Sequence, residues 1–374
     1  MADWSKLPYD IIHKVSTYLV VIEDFLAFSA VCNSWHSVYV AKQWHPRPQV
    51  PMLMFSDYEN SSFRSFISLY RNKVYNLELP EVHGRRCWGS SLGWLLTIGD
   101  DLKIRLLNPF TRVSVSLPPK SSLQIHFGEI LDWYDIIQKA FIFRNPCTSG
   151  RNEEDLVVLI IYGPLKQLAL CRPGYSSWRS IKEANHAGFI DVACLKDQIF
   201  ALRDMGTLVV VDIESLAVVD VNGQRHPQHV ALSLLPQWDW EQLFLVESCG
   251  DLWIVYQYHC NSHRRYHSIE SIEFLIYSFD FSKKQWIRLS SLGNRAVFVG
   301  DHCSVATCAS DFLNCKGDCV YFVGARTEQR WPYSDVHVDL GVYSMVKGSC
   351  KRLGFGADAP KCYSFPLWVT PTLY

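Results

Sequence analysis

The feature that most limits how this chain can fold is a unit that recurs six times between residues 47 and 374. Each unit is an apolar strand, a spacer and a strand–turn–strand hairpin. The hairpins cover residues 66–79, 102–117, 167–181, 207–221, 274–289 and 341–353. The strands that precede them cover residues 52–55, 94–98, 156–162, 198–202, 252–258 and 319–323. Each unit takes about 55 residues, close to the roughly 50 of a kelch blade.

Candidate first strands lie further upstream in five of the six units, for example at 140–143, 189–195 and 243–247. The first unit lacks one, and the last apolar segment of the chain, 367–370, can fill that place. A four-stranded unit has two apolar faces and cannot bury both alone, so copies pack around an axis until the ring closes. The sequence therefore predicts a six-bladed, kelch-like β-propeller closed by the C-terminal strand.

A pair of β-sandwiches is the alternative architecture for the same strands. It stays open because the repeat is degenerate: the chain has neither the Gly-Gly pair of kelch repeats nor the Gly-His and Trp-Asp series of WD40 repeats.

The first 45 residues show a helical period instead. One helical stripe follows Pro8, which suits a first helical position, and consists of Ile11, Ile12, Val15 and Leu19. A second stripe consists of Phe25, Phe28, Cys32 and Trp35. Prolines at 46, 48 and 51 then end the helical part, because Pro cannot continue a helix. We therefore expect an α+β multidomain chain, with a helical module at 1–45 and a β domain at 46–374. So small a module buries too little apolar surface to be stable alone, and it should dock onto something.

The charge balance and the apolar segments argue against two classes of protein. Lys and Arg number 36 against 37 Asp and Glu, for a net charge of −1, whereas a dedicated nucleic-acid binder usually carries a basic excess. The longest apolar stretch, Leu156–Tyr162, is far shorter than a membrane span. Asp3 precedes any apolar run, and the 13 scattered cysteines fit buried thiols in a reducing compartment. We expect an intracellular soluble protein of the nucleus, the cytosol or both, with no nucleic-acid or membrane partner.

One motif invites a catalytic interpretation. Residues 89–93 match Gly-x-Ser-x-Gly, the nucleophile elbow of hydrolases, which requires a sharp turn from a strand into a helix. A strand follows here at 94–98, so a turn within a blade is the better interpretation.

Three other clusters also favour simple explanations. The densest group of possible metal ligands is His302, Cys303, Cys308, Cys315 and Cys319. Its spacings barely fit the close pairs of a zinc site, and cysteines on neighbouring buried strands would look the same. Histidines 259, 263 and 267 fall in a predicted inter-strand loop. Four aspartates near predicted inner strands favour turn formation: Asp191, Asp251, Asp301 and Asp318. We therefore predict no cofactor, no metal and no catalytic residue.

The helical module carries a resemblance to a known domain. Leu7 and Pro8 lead a helix, and Val31-Cys32-x-x-Trp35-x-Ser37 ends the module. This pattern, over about residues 4–44, resembles the F-box. The resemblance implies binding to the Skp adaptor of a cullin-based (SCF) ubiquitin ligase. The adaptor-binding residues that it implies are Leu7, Pro8, Ile11, Ile12, Val15, Leu19, Val31, Cys32 and Trp35.

The β domain carries a second resemblance, on segments at 84–95 (GRRCWGSSLGWL), 107–111 (LNPFT), 117–119 (LPP), 314–322 (NCKGDCVYF), 339–343 (DLGVY) and 366–373 (PLWVTPTL). They resemble plant F-box proteins of the Skp-interacting-partner and KIB type. The resemblance implies a ligase subunit that bridges the adaptor to a target protein for ubiquitination and proteasomal degradation. The sequence identifies neither the target protein nor the residues of this chain that bind it.

Three other interpretations stay open. One is a helical cap that only packs on its own β domain. Another is a propeller scaffold that does not bind the adaptor. The last is a propeller enzyme, which needs carboxylates or histidines converging at one end of the axis.

Overall fold

The computed structural model describes residues 3–19, 21–41, 49–55, 62–69, 71–89, 92–124, 136–144, 155–181, 188–203, 206–221, 242–259, 269–312, 314–326, 337–353 and 366–372. Three helices come first and strands follow, with short 3-10 turns between some of them. The predicted boundary between residues 45 and 46 lies outside the described residues. No helix in the described ranges is long and apolar enough to cross a membrane.

The N-terminal module is built from α1 (Tyr9–Ser16), α2 (Ile22–Ser29) and α3 (Asn33–Val40). α1 begins directly after Pro8, one residue later than predicted, and Glu23 and Asp24 lie in the first turn of α2, where negative charge is favourable. The helices meet in a small core of Ile12, Ile22, Phe25, Phe28 and Val38. The predicted helices are therefore confirmed.

The strands form six separate sheets, in the order that the repeat predicts. The first contains β1 (Met52–Phe55), β2 (Phe63–Ser68) and β3 (Lys73–Glu78). The second contains β4 (Arg85–Trp88), β5 (Leu95–Gly99), β6 (Ile104–Leu107) and β7 (Ser114–Ser116). The third contains β8 (Ile137–Arg144), β9 (Leu156–Tyr162), β10 (Gln167–Cys171) and β11 (Arg179–Ser180).

The later sheets repeat the arrangement. The fourth contains β12 (Phe189–Leu195), β13 (Gln198–Arg203), β14 (Leu208–Asp212) and β15 (Ala217–Asp220). The fifth contains β16 (Gln242–Ser248), β17 (Asp251–His259), β18 (Ile272–Asp280) and β19 (Gln285–Leu289). The sixth contains β20 (Arg295–Gly300), β21 (Ser304–Cys308), β22 (Cys319–Arg326), β23 (His337–Ser344) and β24 (Ser349–Arg352).

The chain's last strand, β25 (Leu367–Val369), pairs with β1 and completes the first blade, with Trp368 opposite Leu53. The indole of Trp368 also donates a hydrogen bond to the carbonyl oxygen of Val299, 3.0 Å away in the sixth blade. The six-bladed propeller and its closure by the C-terminal strand are therefore confirmed, and the pair of sandwiches is excluded.

The sixth blade departs from the simple repeat because it has five strands in the order β21-β20-β22-β23-β24. β20 and β22 run parallel, with Phe298 opposite Tyr321. The strand at the inner edge is therefore β21, which forms a hairpin with β20. The repeat pattern did not predict this extra strand.

Apolar side chains fill the spaces between neighbouring blades. One cluster joins the second and third blades through Trp88, Trp94 and Trp178, and Trp178 is held by a bond from its indole to the carbonyl oxygen of Pro118 (3.0 Å). Another joins the fifth and sixth blades through Phe274 and Phe322, whose ring centroids are 5.3 Å apart. These contacts supply the burial that a single blade cannot supply for itself.

Hydrogen bonds fix the helical module to the first blade, and Phe110 of the second blade packs against the module's core. The hydroxyl of Ser68 donates to the Glu23 carboxylate (2.7 Å), and Arg71 donates to both Asp24 carboxylate oxygens at 2.5 Å. The buried Gln49 side chain accepts the N–H of Ile22 (3.0 Å), which would otherwise lack a partner at the start of α2. These bonds, at the first turn of one helix, set how the module is oriented on the propeller.

Candidate partner-binding surfaces

Helix α1 has a buried row and an exposed apolar row that face in different directions. Ile12 and Ser16 point into the module and are each 1% exposed. Ile11 and Val15 lie one position earlier on the same helix and are 50% and 38% exposed, and Tyr18 continues their row at 71%. The spacing of four and then three residues makes the outer row a continuous stripe. α1 therefore presents an apolar face that the described part of the chain does not cover.

The residues implied for adaptor binding fall into three groups. Pro8, Ile11, Val15 and Val31 are exposed. Leu7, Leu19 and Trp35 are half-buried at the edge of the module's core, and Cys32 is half-buried at the start of α3. Ile12 is the exception because it is 1% exposed within that core. As placed, Ile12 supports the surface from beneath and does not form part of it.

Three exposed aromatic residues extend the same module and were not among the predicted ones. Trp4 is 63% exposed, Tyr9 42% and Tyr18 71%. Tyr18 could have been found from its spacing to Ile11 and Val15. Trp4 precedes the helical pattern, so no periodicity pointed to it. We use the term module face for the exposed residues Trp4, Pro8, Ile11, Val15, Tyr18 and Val31.

The N-terminal turn is held against α3 by two bonds to the backbone. The indole of Trp35 donates to the carbonyl oxygen of Trp4 (3.1 Å). The hydroxyl of Ser34 donates to the carbonyl oxygen of Ser5 (3.2 Å). The Trp35 ring also packs on Phe28, with centroids 4.6 Å apart. Trp35 therefore positions the turn that carries Trp4.

The second candidate surface is the central channel of the propeller. A cavity of about 130 Å³ lies between the strands β8, β12, β16 and β21, and Gly89 at the end of β4 also contacts it. A second cavity, of about 290 Å³, lies at the beginnings of β4, β8 and β12 and shares His302 with the first. Inner strands from four blades thus bring their side chains to one axis.

Asp191 is the most buried carboxylate among the described residues of this channel, with 3% of its side chain exposed. One of its oxygens lies 3.2 Å from the Lys139 ammonium group and accepts the N–H of Leu245 (2.9 Å). The other accepts the N–H of Val192. Burial raises the pKa of Asp191, and the Lys139 charge and these bonds oppose that effect.

The four aspartates singled out in the sequence do not converge on one site. Asp191 and Asp301 line the two adjoining cavities, and Asp301 accepts a bond from the Gln242 side chain (2.9 Å). Asp251 is exposed at the start of β17. Asp318 accepts the N–H of Leu292, 26 positions earlier in the chain (2.5 Å), and Asp191 lies within β12, so neither makes the local turn bond that the sequence predicted.

The remaining motifs also have structural explanations. In the segment 92–99 the chain continues into β5, so the Gly-x-Ser-x-Gly motif is followed by a strand, as predicted, and not by the helix of a nucleophile elbow. Within the described ranges, no three His, Cys, Asp or Glu side chains come close enough to hold a metal ion together. His259 ends β17 and contacts the Ser271 hydroxyl (3.2 Å), whereas His263 and His267 lie outside the described residues.

Comparison with known proteins agrees with this architecture. The KIB1-4 beta-propeller family model matches residues 66–344, and the F-box domain model matches residues 4–38. The class of protein is thus an F-box protein with a six-bladed propeller. Because the propeller model covers more than half of its length, the chain belongs to the KIB1-4 beta-propeller family. F-box proteins are in general non-catalytic adaptors.

Relatives in Arabidopsis thaliana align along almost the whole chain. The F-box protein SKIP23 is 26% identical over 99% of this chain and 96% of its own length. The F-box protein At2g17036 is 23% identical over 99% of this chain and 95% of its own length. Among solved structures, the β-propeller domain of Myceliophteria thermophila Cps50 (Swd1) aligns over 83% of this chain and 87% of its own at 11% identity, with a TM-score of 0.35.

Proposed function

We propose that this chain is the substrate-recognition subunit of an SCF cullin-type ubiquitin ligase. In this proposal the helical module binds the Skp adaptor, and through it a cullin, while the propeller holds a target protein for ubiquitination and degradation. The observation that carries the proposal is the module face: exposed apolar side chains on a unit whose own core is already formed by Ile12, Ile22, Phe25, Phe28 and Val38. Exposed apolar patches of this kind mark sites of protein–protein contact.

The F-box match at residues 4–38 supports a Skp-type adaptor as the occupant of that face. Of the predicted adaptor-binding residues, Pro8, Ile11, Val15 and Val31 lie on it, while Leu7, Leu19, Cys32 and Trp35 border it. Aromatic side chains such as Trp4 and Tyr18 are favoured anchors in interfaces, so we include them in the proposed adaptor contact.

The proposed contribution to ubiquitin transfer is proximity. A subunit that holds target and adaptor together raises the effective concentration of target lysines near a ubiquitin-charged enzyme, and it needs no active-site residue of its own. The bonds from Ser68 and Arg71 to the first turn of α2 support this role, because they fix the module face relative to the propeller. We accordingly propose a non-catalytic subunit.

A pull-down with purified Skp adaptor tests the proposal. The wild-type chain should retain the adaptor, and the Leu7→Ala/Pro8→Ala chain should lose it. Truncating one buried interface anchor costs about 2 kcal/mol of binding, which is about thirtyfold in affinity.

A matched pair of surface variants separates binding from folding. Val31 on the module face is 55% exposed and Val219 on β15 is 61% exposed, so both tolerate a polar side chain without loss of core packing. Val31→Asp should abolish adaptor binding, and Val219→Asp should leave it unchanged. Equal retention of the adaptor by all variants would refute the proposal and would favour the propeller scaffold that lacks a ligase role.

A further inference from the structure

The larger channel cavity has a wall of unusual composition. It measures about 290 Å³, near the lower end of the range for small-ligand pockets. Its charged lining consists of Arg86, Lys139, Lys166 and Asp301. Phe189, Ile190 and Ile161 supply apolar surface beside these groups. A concave site with apolar walls and a few converging polar groups is typical of small-molecule binding.

The cavity carries an excess of positive charge. Three cationic side chains face one carboxylate, Asp301, or two when Asp191, the partner of Lys139 in the adjoining cavity, is included. The excess is notable because the chain as a whole has a net charge of −1. A cleft with low-dielectric walls and one dominant sign of charge concentrates ligands of the opposite sign.

Two β-bulges lie in this wall. The pairing of β8 with β9 shifts register between Ile137 and Lys139, and the pairing of β12 with β13 shifts between Phe189 and Asp191. The residues at the two shifts, Gln138 and Ile190, both line the cavity. Bulges change the direction in which side chains point and are common beside functional sites. On β8 the bulge lies between the first residue of the strand and Lys139, and on β12 it lies between the first residue of the strand and Asp191.

The cavity opens on the face of the propeller away from the helical module. Arg86 and Lys139 lie where β4 and β8 begin, and Lys166 lies in the turn between the second and third strands of its blade. Arg71, which holds the module, lies in the turn between the third and fourth strands of its blade. In antiparallel blades these two sets of positions are at opposite ends of the strands.

We propose that this cavity binds a small organic anion through a carboxylate or phosphate group. The anion's charge is met by Arg86, Lys139 and Lys166, and its body contacts Phe189 and Ile190. The inference stands apart from the ligase role, because it rests on the channel and not on the module face.

Isothermal titration of the full chain with citrate and, separately, with inorganic phosphate tests the site, in chloride buffer of matched ionic strength. The wild-type chain should bind at least one probe saturably, with a dissociation constant of about 1 mM or tighter. Because reversing a charge beside a bound anion replaces attraction with repulsion, Lys166→Glu should weaken that binding by about fivefold or more.

Lys284 provides the matched control. Both lysines are exposed, both occupy turn positions with positive φ (49° at Lys166 and 51° at Lys284), and Lys284 lies in a turn between third and fourth strands. Lys284→Glu should therefore bind the probe as the wild type does. A second variant, Arg86→Gln, should also weaken binding while the melting curve stays cooperative.

Three results would overturn the proposal: no saturable binding of either probe by the wild type, equal binding by Lys166→Glu, or an equal loss in Lys284→Glu. The last would mean that the anion responds only to the net charge of the chain.

Discussion

Asp191 and Lys139 connect three blades at the propeller axis. The Asp191 side chain, on β12, lies 3.2 Å from the Lys139 ammonium group on β8, and the same oxygen accepts the N–H of Leu245 on β16. The ammonium group also lies 5.3 Å from the centroid of the Phe244 ring. One buried carboxylate thus joins the inner strands of the third, fourth and fifth blades.

Replacing Asp191 with Asn should destabilise the propeller by about 3 kcal/mol, because it leaves the Lys139 charge buried without its counterion. The double variant Lys139→Met/Asp191→Asn should recover much of the loss, since it removes both charges. Urea unfolding followed by tryptophan fluorescence measures the change. The control is the exposed pair Arg172–Glu214, where Glu214→Gln should cost less than about 1 kcal/mol. Equal losses at the two pairs would contradict the role of Asp191.

Gly93 should resist substitution because the C-terminal segment passes against it. Its φ is +75°, and a Cβ built there would clash with the Thr372 side chain and lie 2.5 Å from the carbonyl oxygen of Thr370. We expect Gly93→Ala to weaken closure of the ring and to expose the C-terminal strand to protease. Cleavage by a nonspecific protease, mapped by mass spectrometry, measures this effect.

Gly174 is the control for the backbone conformation at Gly93. Its φ is +84°, and a Cβ there meets nothing within 4 Å. Gly174→Ala should therefore cost only the strain of a positive φ, about 1 kcal/mol, with no new cleavage near the C-terminus. The same cleavage pattern in both variants would show that the close approach at Gly93 does not matter.

Stability should decrease below pH 6.5 through His302. Burial, and secondly the nearby Arg86 and Lys139 charges, lower the pKa of His302 well below its ordinary value of 6.5. As pH falls through 6.5, the unfolded chain takes up a proton at this residue and the folded chain does not. The free energy of unfolding therefore falls by at most about 1.4 kcal/mol per pH unit from this group.

The variant His302→Gln isolates that contribution. It cannot gain a proton in either state, so its free energy of unfolding should depend less steeply on pH between about 6.5 and 5.5. Urea unfolding of both chains at a series of pH values gives the two slopes. Parallel curves would contradict the prediction.

One buried and one half-buried thiol of the sixth blade, Cys303 and Cys315, should be unreactive at pH 8. Burial raises the pKa of Cys303 and of Cys315 to about 12, so about one molecule in ten thousand carries the thiolate at that pH. Among the cysteines that the structure describes, Cys249 is exposed and should react first. Iodoacetamide labelling with peptide mapping should modify Cys249 within minutes and Cys303 and Cys315 only after unfolding, and Cys249→Ser should remove the early product at that position. Early labelling of Cys303 would contradict its burial.

The local elements could be predicted from sequence because each depends on neighbouring residues. Short apolar segments such as 156–162, and the turn residues between them, predicted blades that the structure confirms. The apolar period at Ile11, Ile12, Val15 and Leu19 predicted α1 but combined two rows into one stripe. Only tertiary packing separates Ile12, in the core, from Ile11, on the surface.

Contacts between distant strands could not be predicted in this way. The Lys139–Asp191 pair joins residues on different blades, and no sequence pattern around either residue predicts the other as its partner. Gly89 and Gly93 were interpreted as a turn, whereas each also lies where a Cβ would meet the C-terminal segment, at Trp368 and Thr370 respectively. The parallel pairing of β20 with β22 likewise depends on the whole sixth blade.

The pairing of β25 with β1 has a consequence for how the protein is made. The strand Met52–Phe55 leaves the ribosome about 300 residues before its partner Leu367–Val369 exists. Throughout that interval an apolar edge is open to other nascent chains, and a chaperone that shields it would be of direct use. A chain that lacks Leu367–Val369 would form a ring that never closes.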